Sequence, residues 1–517
     1  MPATETKAKT KTILTPLNRV EGDLEIRVEL EDDRVVDAWS AGVMYRGFEN
    51  LLRGRGALDG LVLTPRVCGI CGTAHLQAAA RALEAIMGVR PPANAIRVRN
   101  TALAVEHLQS DMRHAFLMFV ADFVNPAYRD RPLYEEAARR YAPFRGETVI
   151  ETIRETRSVV EVVAILGGQW PHSSYMVPGG ITTLPNMSDI CQCRYLLDRY
   201  RAWYEKRILG CSIDRWREVR SAGDLDAWLD ESPAHRDGEV GFFVRFARDI
   251  GLDRIGRGHD AYIGFDGLPI PEGSAVRGRR ENVPFLLPGG FATGTEVTPL
   301  DQARISEHVA HSWFEDYEGG RHPFEGETKP YATGAEGRKY SWVKAPRYGN
   351  RPAETGPLAE AVLAGVPLVR DLLRPSGPNA FVRQLARMTR PAELLPAVGR
   401  WIDEIDPGER YYTASPHPEE GEGLGAVEAS RGALGHWLRI ERGRIARYQM
   451  ITPTAWNGSP RDSADLRGPW EEALVGTPVR DTENPVELGH VIRSFDACQV
   501  CSVHAFRGGR SFPRRKV

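Results

Sequence analysis

The sequence predicts an α+β protein whose core is mainly helical, a bundle of long helices, with small β-sheets at the periphery. Apolar residues recur every three or four positions over several long segments, as they do on the buried face of an amphipathic helix. Runs that alternate between apolar and polar residues are short and lie near the two ends of the chain. The middle, roughly residues 255–355, is rich in glycine, proline and polar residues and predicts irregular structure with short strands.

The first regular elements are expected to be two strands joined by a turn. Residues 1–12 are rich in threonine and lysine and are expected to form a mobile tail. Apolar and polar residues alternate over residues 23–30, which predicts a strand. Residues 31–34, Glu-Asp-Asp-Arg, supply a turn into a second strand that runs through Trp39.

Long helices are expected to follow. Between about residues 94 and 123, Val105 and Leu108 belong to one apolar face with helical spacing, and two prolines precede it as at a helix start. Near the end of the chain, residues 437–440 and 445–451 flank a Glu-Arg-Gly-Arg turn, which predicts a hairpin. Further helices are predicted over residues 134–141, 150–166, 189–209 and 381–405.

The composition argues against several classes of protein. The chain has 67 basic and 69 acidic residues, so no excess of positive charge points to nucleic acid. No apolar run approaches the roughly 18–20 residues that a membrane-spanning helix needs, and the N-terminus lacks the apolar stretch of a signal peptide. We therefore expect a cytoplasmic protein, or one that a partner carries to a membrane. The length allows one compact, multi-lobed body, expected over residues 13–504.

Four of the seven cysteines form two C-x-x-C pairs, Cys68 with Cys71 and Cys498 with Cys501. Two intervening residues allow both sulfurs of a pair to bind one metal ion. Zinc is the most frequent occupant of two such pairs, but the usual gap between them is roughly 15–20 residues, whereas nearly the whole chain separates these two. From spacing alone, a structural zinc site, a redox-active metal and unligated thiols all remain open.

The other cysteines, Cys191, Cys193 and Cys211, show no such spacing. Cys191 and Cys193 lie two residues apart on a predicted helix and cannot face each other. We expect all three to be small buried hydrophobic residues. Three thiols cannot supply the four ligands of an iron–sulfur cubane, so electrons from a redox centre here would have to leave through another chain.

The two cysteine pairs lie in longer motifs that resemble the signature pair of nickel–iron hydrogenase large subunits. These motifs are Arg-x-Cys-Gly-x-Cys at residues 66–71 and Asp-x-Cys-x-x-Cys-x-x-His at residues 496–504. The resemblance runs from about residue 13 to residue 504, and the segment around residues 169–180 is most similar to the uptake branch of cyanobacteria and aerobic soil bacteria. Other matching segments are residues 18–22, 46–49, 167–172, 431–434 and 453–457.

The resemblance implies the hydrogenase large-subunit fold and oxidation of H2 at a nickel–iron centre. Nickel would be bound by four sulfurs, with Cys68 and Cys498 as terminal ligands. Cys71 and Cys501 would bridge nickel to an iron that carries CO and cyanide. His75 would donate a hydrogen bond to a bridging sulfur and so tune the metals.

The resemblance also implies how the proton leaves. It would be taken by a terminal thiolate, that of Cys498, or by a base that involves Arg431, which lies over the metals near Asp496. Because a guanidinium stays charged, Arg431 fits an electrostatic or positioning role better. Glu21 would be the next proton carrier; the alternative for Glu21 is a surface salt bridge with its neighbour Arg19.

A second metal site is implied near the end of the chain. In the family a hard cation, usually magnesium, is held by a glutamate, the last histidine and one backbone carbonyl, which correspond to Glu49, His504 and Met450 here. Oxygen-rich sites with retained water suit magnesium. The alternative for His504 is a surface histidine near the chain end.

Some positions depart from the family pattern. Ser430 and Ala497 stand where proline is common in relatives, which changes the stiffness of the backbone beside Arg431 and Cys498. Ser110 stands where many relatives have an aspartate near the metals, and the aspartate here is next door, at Asp111. The role of Asp111 is therefore open.

The resemblance implies several partners. An iron–sulfur small subunit would carry the electrons, in a heterodimer or a multimer of heterodimers. Maturation proteins would insert the metals, and a protease would remove residues 505–517 after His504; the alternative for that segment is a solvated tail. Two other classes are alternatives: a non-catalytic relative, such as the related subunit of respiratory complex I, which lacks the four cysteines, and a zinc-stabilised interaction protein.

Overall fold

The fold is α+β, with helices through the centre and small antiparallel sheets around them, as the sequence predicts. The computed structural model describes residues 11–276, 278, 284–334 and 336–499. The helices are Phe48–Leu52, Gly60–Leu63, Gly72–Met87, Ala93–Arg113, Tyr134–Tyr141, Glu147–Val159, Glu161–Gly167, Met187–Trp203, Ile213–Arg217, Ala222–Glu231, Pro233–Asp237, Glu239–Ile250, Pro357–Leu363, Pro367–Leu373, Ala380–Thr389, Pro391–Asp403, Pro453–Asn457, Pro469–Leu474 and Val486–Ser494. The strands are Lys11–Leu17, Leu24–Glu31, Arg34–Gly42, Met176–Val177, Gly180–Ile181, Ala261–Gly264, Gly267–Pro269, Phe285–Leu287, Gly290–Thr293, Glu296–Thr298, Ile305–His308, Gly320–Arg321, Ala345–Tyr348, Gly421–Ala429, Gly432–Glu441 and Arg444–Ile451.

The central helix is Ala93–Arg113, which the sequence predicts as part of a longer helix to residue 123. It is buried on nearly every side, polar residues included, and packs against Pro391–Asp403 and Glu147–Val159. Its continuation changes form, first to a π-helix at His114–Phe119 and then to a 3-10 helix at Val120–Val124. Such π-segments are frequent at functional sites, and this one presents His114 to the candidate site.

The N-terminal sheet contains the two predicted strands, Leu24–Glu31 and Arg34–Gly42, and the turn between them. A third strand, Lys11–Leu17, pairs antiparallel with the first of these. Lys11 and Thr12, which the sequence places in the tail, already belong to that strand. Its alternation is weak, because a proline and polar residues interrupt it, so it was not predicted.

The C-terminal sheet contains the predicted hairpin, Gly432–Glu441 with Arg444–Ile451, and a further strand, Gly421–Ala429. The helix Gly72–Met87 lies directly on this sheet. A Cβ at position 425 would come within 1.8 Å of the Ala78 carbonyl oxygen, so only glycine permits this close approach. The packing fixes the start of the helix, just after Cys71, beside the turn that carries Arg431.

The other helix predictions agree in position and differ in continuity. The helix predicted over residues 134–141 has those bounds. The predictions over 150–166 and 381–405 each correspond to two helices, and that over 189–209 ends in a π-helix. The middle of the chain holds short strands, as predicted, whereas the helices between residues 213 and 250 were not predicted.

The remaining cysteines correct one expectation. Cys193 is buried, but Cys191 on the same helix is exposed and Cys211 is half-buried, so they are not all core residues. Across the described part of the chain, no helix combines the length and apolar character needed to cross a membrane. The single body over 13–504 and the separate segment 505–517 stay predictions.

Candidate metal centre

The two ends of the described chain meet at the candidate site. Glu21 and Cys498 form an isolated parallel β-bridge. The Glu21 N–H donates to the Ala497 carbonyl at 3.3 Å, and the Gln499 N–H donates to the Glu21 carbonyl at 2.6 Å. The Cys498 N–H donates to the Thr454 hydroxyl at 3.2 Å. The backbone of Cys498 is therefore held on both sides before its side chain is considered.

The sulfurs of Cys68 and Cys498 are 3.8 Å apart, and both side chains are buried. Two sulfurs bound at roughly 2.3 Å to one tetrahedral metal lie about 3.8 Å apart, whereas a disulfide would be about 2.0 Å long. Cys71 is also buried beside them. Buried thiols at this separation fit a soft metal ion. Cys501 lies outside the described residues.

The loop that carries Cys68 and Cys71 is held by an arginine and by its own amides. The guanidinium of Arg46 donates to the carbonyls of Val67 at 2.5 Å and Arg66 at 3.0 Å. The Ile70 N–H points at the Cys68 sulfur, 3.4 Å away. Such a donor favours the thiolate form that metal binding requires.

Glu106 caps the helix that begins after Cys71. Its carboxylate accepts hydrogen bonds from the N–H groups of Thr73, at 3.0 Å, and Ala74, at 3.3 Å. Cys71 itself stands at the N-cap and makes no capping bond. Burial raises the pKa of Glu106 to about 7, although the Thr73 hydrogen bonds oppose this shift. Glu106 thus satisfies two of the free amides in the first turn of this helix, in place of a capping side chain.

Arg431 lies in the two-residue turn between Gly421–Ala429 and Gly432–Glu441, and its Nε is 3.0 Å from the Asp496 carboxylate. Both side chains are buried. Burial disfavours the charged guanidinium, but Asp496 and the thiolates of Cys498 and Cys68 hold the pKa of Arg431 above its usual value. Its Nη1 makes no hydrogen bond within the described residues. A permanent positive charge therefore faces the sulfurs.

Asp496 lies near further charged and titratable groups. His114 Nε2 is 3.9 Å and Arg387 Nε is 4.0 Å from its carboxylate. Burial would raise the pKa of Asp496, but Arg431 and these neighbours lower it below its usual value. Burial lowers the pKa of His114 to about 3, so His114 is neutral. Neither His114 nor Arg387 was predicted, because only the fold brings them to this carboxylate.

Glu21 lines a cavity of about 200 Å³ that also borders Ile70 and Ala497, which are neighbours of the cysteines in sequence. Burial raises the pKa of Glu21, Arg431 lowers it, and Cys68 and Asp496 raise it further. Arg19 does not pair with Glu21; it binds Asp122 and the Met118 carbonyl. The salt-bridge alternative for Glu21 is therefore wrong. The cavity is lined by Arg19, Val20, Glu21, Ile70, Gln109, Ser110, Arg113, His114, Leu117, Met118, Arg431, Asp496 and Ala497.

The neighbours Ser110 and Asp111 take different directions. Ser110 lines the cavity. Asp111 points away and forms a bidentate ion pair with Arg390, at 2.7 and 2.9 Å. Arg390 also donates to the Ser430 carbonyl at 2.7 Å. Asp111 thus supports the backbone just before Arg431 rather than facing the sulfurs.

His75 is fully buried, one helical turn beyond Cys71. Its Nδ1 is 3.0 Å from His436 Nε2, and His436 Nδ1 is 2.8 Å from the Tyr448 hydroxyl. Its Nε2 makes no hydrogen bond within the described residues. Burial lowers the pKa of His75 to about 4, against the opposing effect of the Cys68 thiolate.

A second polar cluster surrounds Glu49. Its carboxylate accepts from the Met450 N–H at 2.9 Å and from Lys344 at 3.3 Å, and it contacts the Thr328 hydroxyl. Lys344 is also 3.6 Å from Glu307. Two carboxylates face one ammonium group around a void of about 20 Å³, enough for one ion or water. His504 lies outside the described residues.

The chain is similar to hydrogenase large subunits over almost its whole length. A family described as nickel-dependent hydrogenase matches residues 46–135 and 251–504. The periplasmic NiFeSe hydrogenase large subunit of Desulfomicrobium baculatum is 32% identical, over 96% of this chain and 95% of the relative. The uptake hydrogenase large subunit of Azotobacter chroococcum is 27% identical, over 99% and 98%. The structure of the oxidised Ni-Fe-Se hydrogenase of D. vulgaris Hildenborough superposes with a TM-score of 0.80, at 29% identity, over 96% of this chain and 100% of that chain.

Proposed function

Because the chain belongs to the nickel-dependent hydrogenase family, we propose that it is the catalytic large subunit of a nickel–iron hydrogenase. It cleaves H2 reversibly into protons and electrons and serves H2 uptake. The observation that carries the proposal is the meeting of Cys68 and Cys498, from opposite ends of the chain, 3.8 Å apart in a buried site. Thiolates at that separation suit nickel and iron.

The four cysteines hold the metals. Cys68 and Cys498 would be terminal nickel ligands, and Cys71 and Cys501 would be shared between nickel and an iron that would carry CO and cyanide. When bound, this centre supplies the heterolytic cleavage of H2. The donor set and the sulfur separation support the assignment of Cys68 and Cys498, whereas Cys501 is assigned from the family motif alone.

The proton leaves through Cys498 and Glu21. The Cys498 thiolate takes the proton, and the Glu21 carboxylate receives it next. Two features of Glu21 support this role: its backbone is bridged to that of Cys498, and burial raises the pKa of its carboxyl. A carboxyl with a raised pKa holds a proton more readily than an ordinary one and can still release it, as a proton carrier must.

Arg431 and Asp496 set the electrostatics of the cavity. Arg431 stays protonated, because Asp496 and the thiolates stabilise its charge, so it does not act as the base. Its guanidinium offsets the negative charge of the sulfurs and keeps a donor, Nη1, free of other hydrogen bonds in the described structure. Asp496 holds the guanidinium in this orientation through the 3.0 Å ion pair.

The cluster around Glu49 would hold a magnesium ion through Glu49, the Met450 carbonyl and His504. The excess of carboxylate oxygens over the single Lys344 ammonium supports a cation there. Glu307 faces the same void and can hold magnesium-bound water. In the described structure the Met450 N–H, rather than its carbonyl, contacts Glu49.

The electrons leave through an iron–sulfur small subunit, in a heterodimer or a multimer of heterodimers. Maturation proteins insert the metals, and a protease removes residues 505–517 afterwards. The complex resides in the cytoplasm, free or attached to a membrane through a partner. The similarity to chains named as large subunits supports a small-subunit partner.

Infrared spectroscopy and metal analysis test the proposal on one sample. The chain is expressed with its small subunit and maturation proteins, purified, and measured before and after exposure to H2. We expect nickel and iron, together with CO and cyanide stretching bands that shift under H2. Zinc without nickel, and no such bands, would instead identify a zinc-stabilised interaction protein.

A further inference from the structure

Three buried polar side chains near the cysteine loop form a hydrogen-bonded series, from Tyr448 through His436 to His75. Tyr448 and His436 lie on adjacent strands, Arg444–Ile451 and Gly432–Glu441, as diagonal neighbours two positions out of register. His75 lies on the helix Gly72–Met87, which packs on this sheet. The contacts are 2.8 Å from the Tyr448 hydroxyl to His436 Nδ1 and 3.0 Å from His436 Nε2 to His75 Nδ1.

The His75 end of this hydrogen-bonded series lies next to the loop that carries the cysteines. His75 follows Cys71 by four residues, and the backbone N–H of His75 donates to the Cys71 carbonyl. Residues four apart lie on one face of a helix, and side chains tilt toward the helix N-terminus, so the His75 ring lies over the turn that begins at Cys71. Its Nε2 is the atom left without a partner in the described structure.

We infer that Tyr448 and His436 are positioning residues that fix His75 as the tautomer with its proton on Nε2, which makes it a permanent donor to a sulfur of the metal centre. This inference rests on the proposed function, because it assigns the sulfur cluster as the acceptor.

The direction of the hydrogen bonds follows from the phenol. The Tyr448 side chain is buried, and a phenol keeps its proton near neutral pH. Its partner in the described structure is His436 Nδ1. When the phenol donates to that nitrogen, His436 carries its proton on Nε2 and donates to His75 Nδ1. His75 must then carry its own proton on Nε2.

Reversing these hydrogen bonds would be unfavourable both at Tyr448 and at His75. The Tyr448 O–H would be buried without an acceptor, which costs the desolvation energy of that group. His75 would turn a lone pair, instead of an N–H, toward the negatively charged thiolates. The Tyr448 O–H thus sets the tautomer of the His75 ring, two hydrogen bonds away. Groups that hydrogen-bond to metal-binding histidines fix their tautomers in the same way.

The test uses the mature holoenzyme with its small subunit and compares the infrared CO band of four variants. Tyr448→Phe removes the O–H and keeps the ring. His436→Leu interrupts the hydrogen-bonded series, and His436→Gln restores a side chain that both accepts and donates hydrogen bonds. Tyr200→Phe is the matched control, because the Tyr200 hydroxyl is equally buried but donates to the Leu108 carbonyl.

The CO band is expected at lower wavenumber in Tyr448→Phe and His436→Leu. A sulfur that loses its donor gives more electron density to iron, which weakens the CO bond. His436→Gln should return the band toward the wild-type position, and Tyr200→Phe should not move it. The nickel content of His436→Leu should also fall. Loss of a hydrogen-bond partner of this kind lowers metal affinity by roughly 10–100-fold.

Two results would overturn the inference. The first is a Tyr448→Phe enzyme with full nickel content and unmoved bands. The second is an equal shift in Tyr200→Phe, which would assign the effect to general packing. A wild-type protein without CO and cyanide bands would instead refute the proposed function. The failures of the two proposals are therefore distinguishable.

Discussion

Replacing Glu106 by glutamine should change both the stability of the protein and its metal content. The Glu106 carboxylate accepts from two backbone amides, at 3.0 and 3.3 Å, in the first turn after Cys71. A glutamine keeps one oxygen acceptor and brings an NH2 group toward the second amide. The loss of a capping acceptor costs about 1–2 kcal/mol of the free energy of unfolding.

The loss of stability in Glu106→Gln should depend on pH. Burial raises the pKa of Glu106 from 4.5 in the unfolded chain to about 7 in the folded protein. The folded state therefore binds more protons between these values, and the wild type loses stability as pH rises from 4.5 to 7, by on the order of 1–3 kcal/mol. Glutamine does not ionise, so the deficit of Glu106→Gln should be largest near pH 5 and small or reversed near pH 8.

Glu471→Gln is the matched control. Glu471 is also buried, burial raises its pKa to about 7, and it caps the helix Pro469–Leu474 through the Gly468 N–H. Thermal unfolding midpoints at pH 5.5 and pH 8, with nickel content by mass spectrometry, compare the two variants. Both should show the pH-dependent deficit, but only Glu106→Gln should lose nickel. A deficit that is equal at both pH values, or equal nickel loss in both variants, would refute the reasoning.

Three further predictions concern the proton carrier, the guanidinium and the second cluster. Glu21→Gln should slow H2 oxidation by roughly 10²–10⁴-fold with unchanged infrared bands; a rate equal to that of the wild type would remove Glu21 from the proton path. Arg431→Lys keeps the charge but loses the Nε contact to Asp496, so the H2 oxidation rate should fall by roughly 10–100-fold at full nickel content. An unchanged rate would contradict the assigned role. Lys344→Met leaves two buried carboxylates without their ammonium and should cost about 3–5 kcal/mol; the thermal midpoint should fall and recover in part with added magnesium, and a midpoint that magnesium does not raise would argue against a cation in this cluster.

The sequence predicts best the elements whose pattern is local. The helix Tyr134–Tyr141 and the hairpin around residues 441–444 have their own apolar period and turn residues, and the structure confirms both. The helix Gly72–Met87 was not predicted, because nearly all its residues are buried and no polar face marks its period. The helix predicted over 381–405 is broken at Arg390 because Pro391 begins the next helix, whereas no proline or glycine marks the break at Val160.

The residues of the candidate site also differ in whether the sequence reveals them. Family motifs identify Cys68, Cys498 and Arg431, and the fold brings them together. Glu106 and His436 carry no motif, since each acts on a residue that is distant in sequence. Glu106 is one of several polar residues buried along the helix Ala93–Arg113, so no local pattern distinguishes it.

The β-bridge between Glu21 and Cys498 sets the order in which the site can be completed during biosynthesis. Contacts between the first and last parts of a chain form late, because a long loop must close before they are made. The bridge therefore forms only after synthesis reaches the C-terminal segment, whereas Cys68 and Cys71 are made early. A prematurely terminated chain would lack both the ligand Cys498 and the backbone that covers Glu21. Closure of the pocket thus follows synthesis of the segment that carries Cys498.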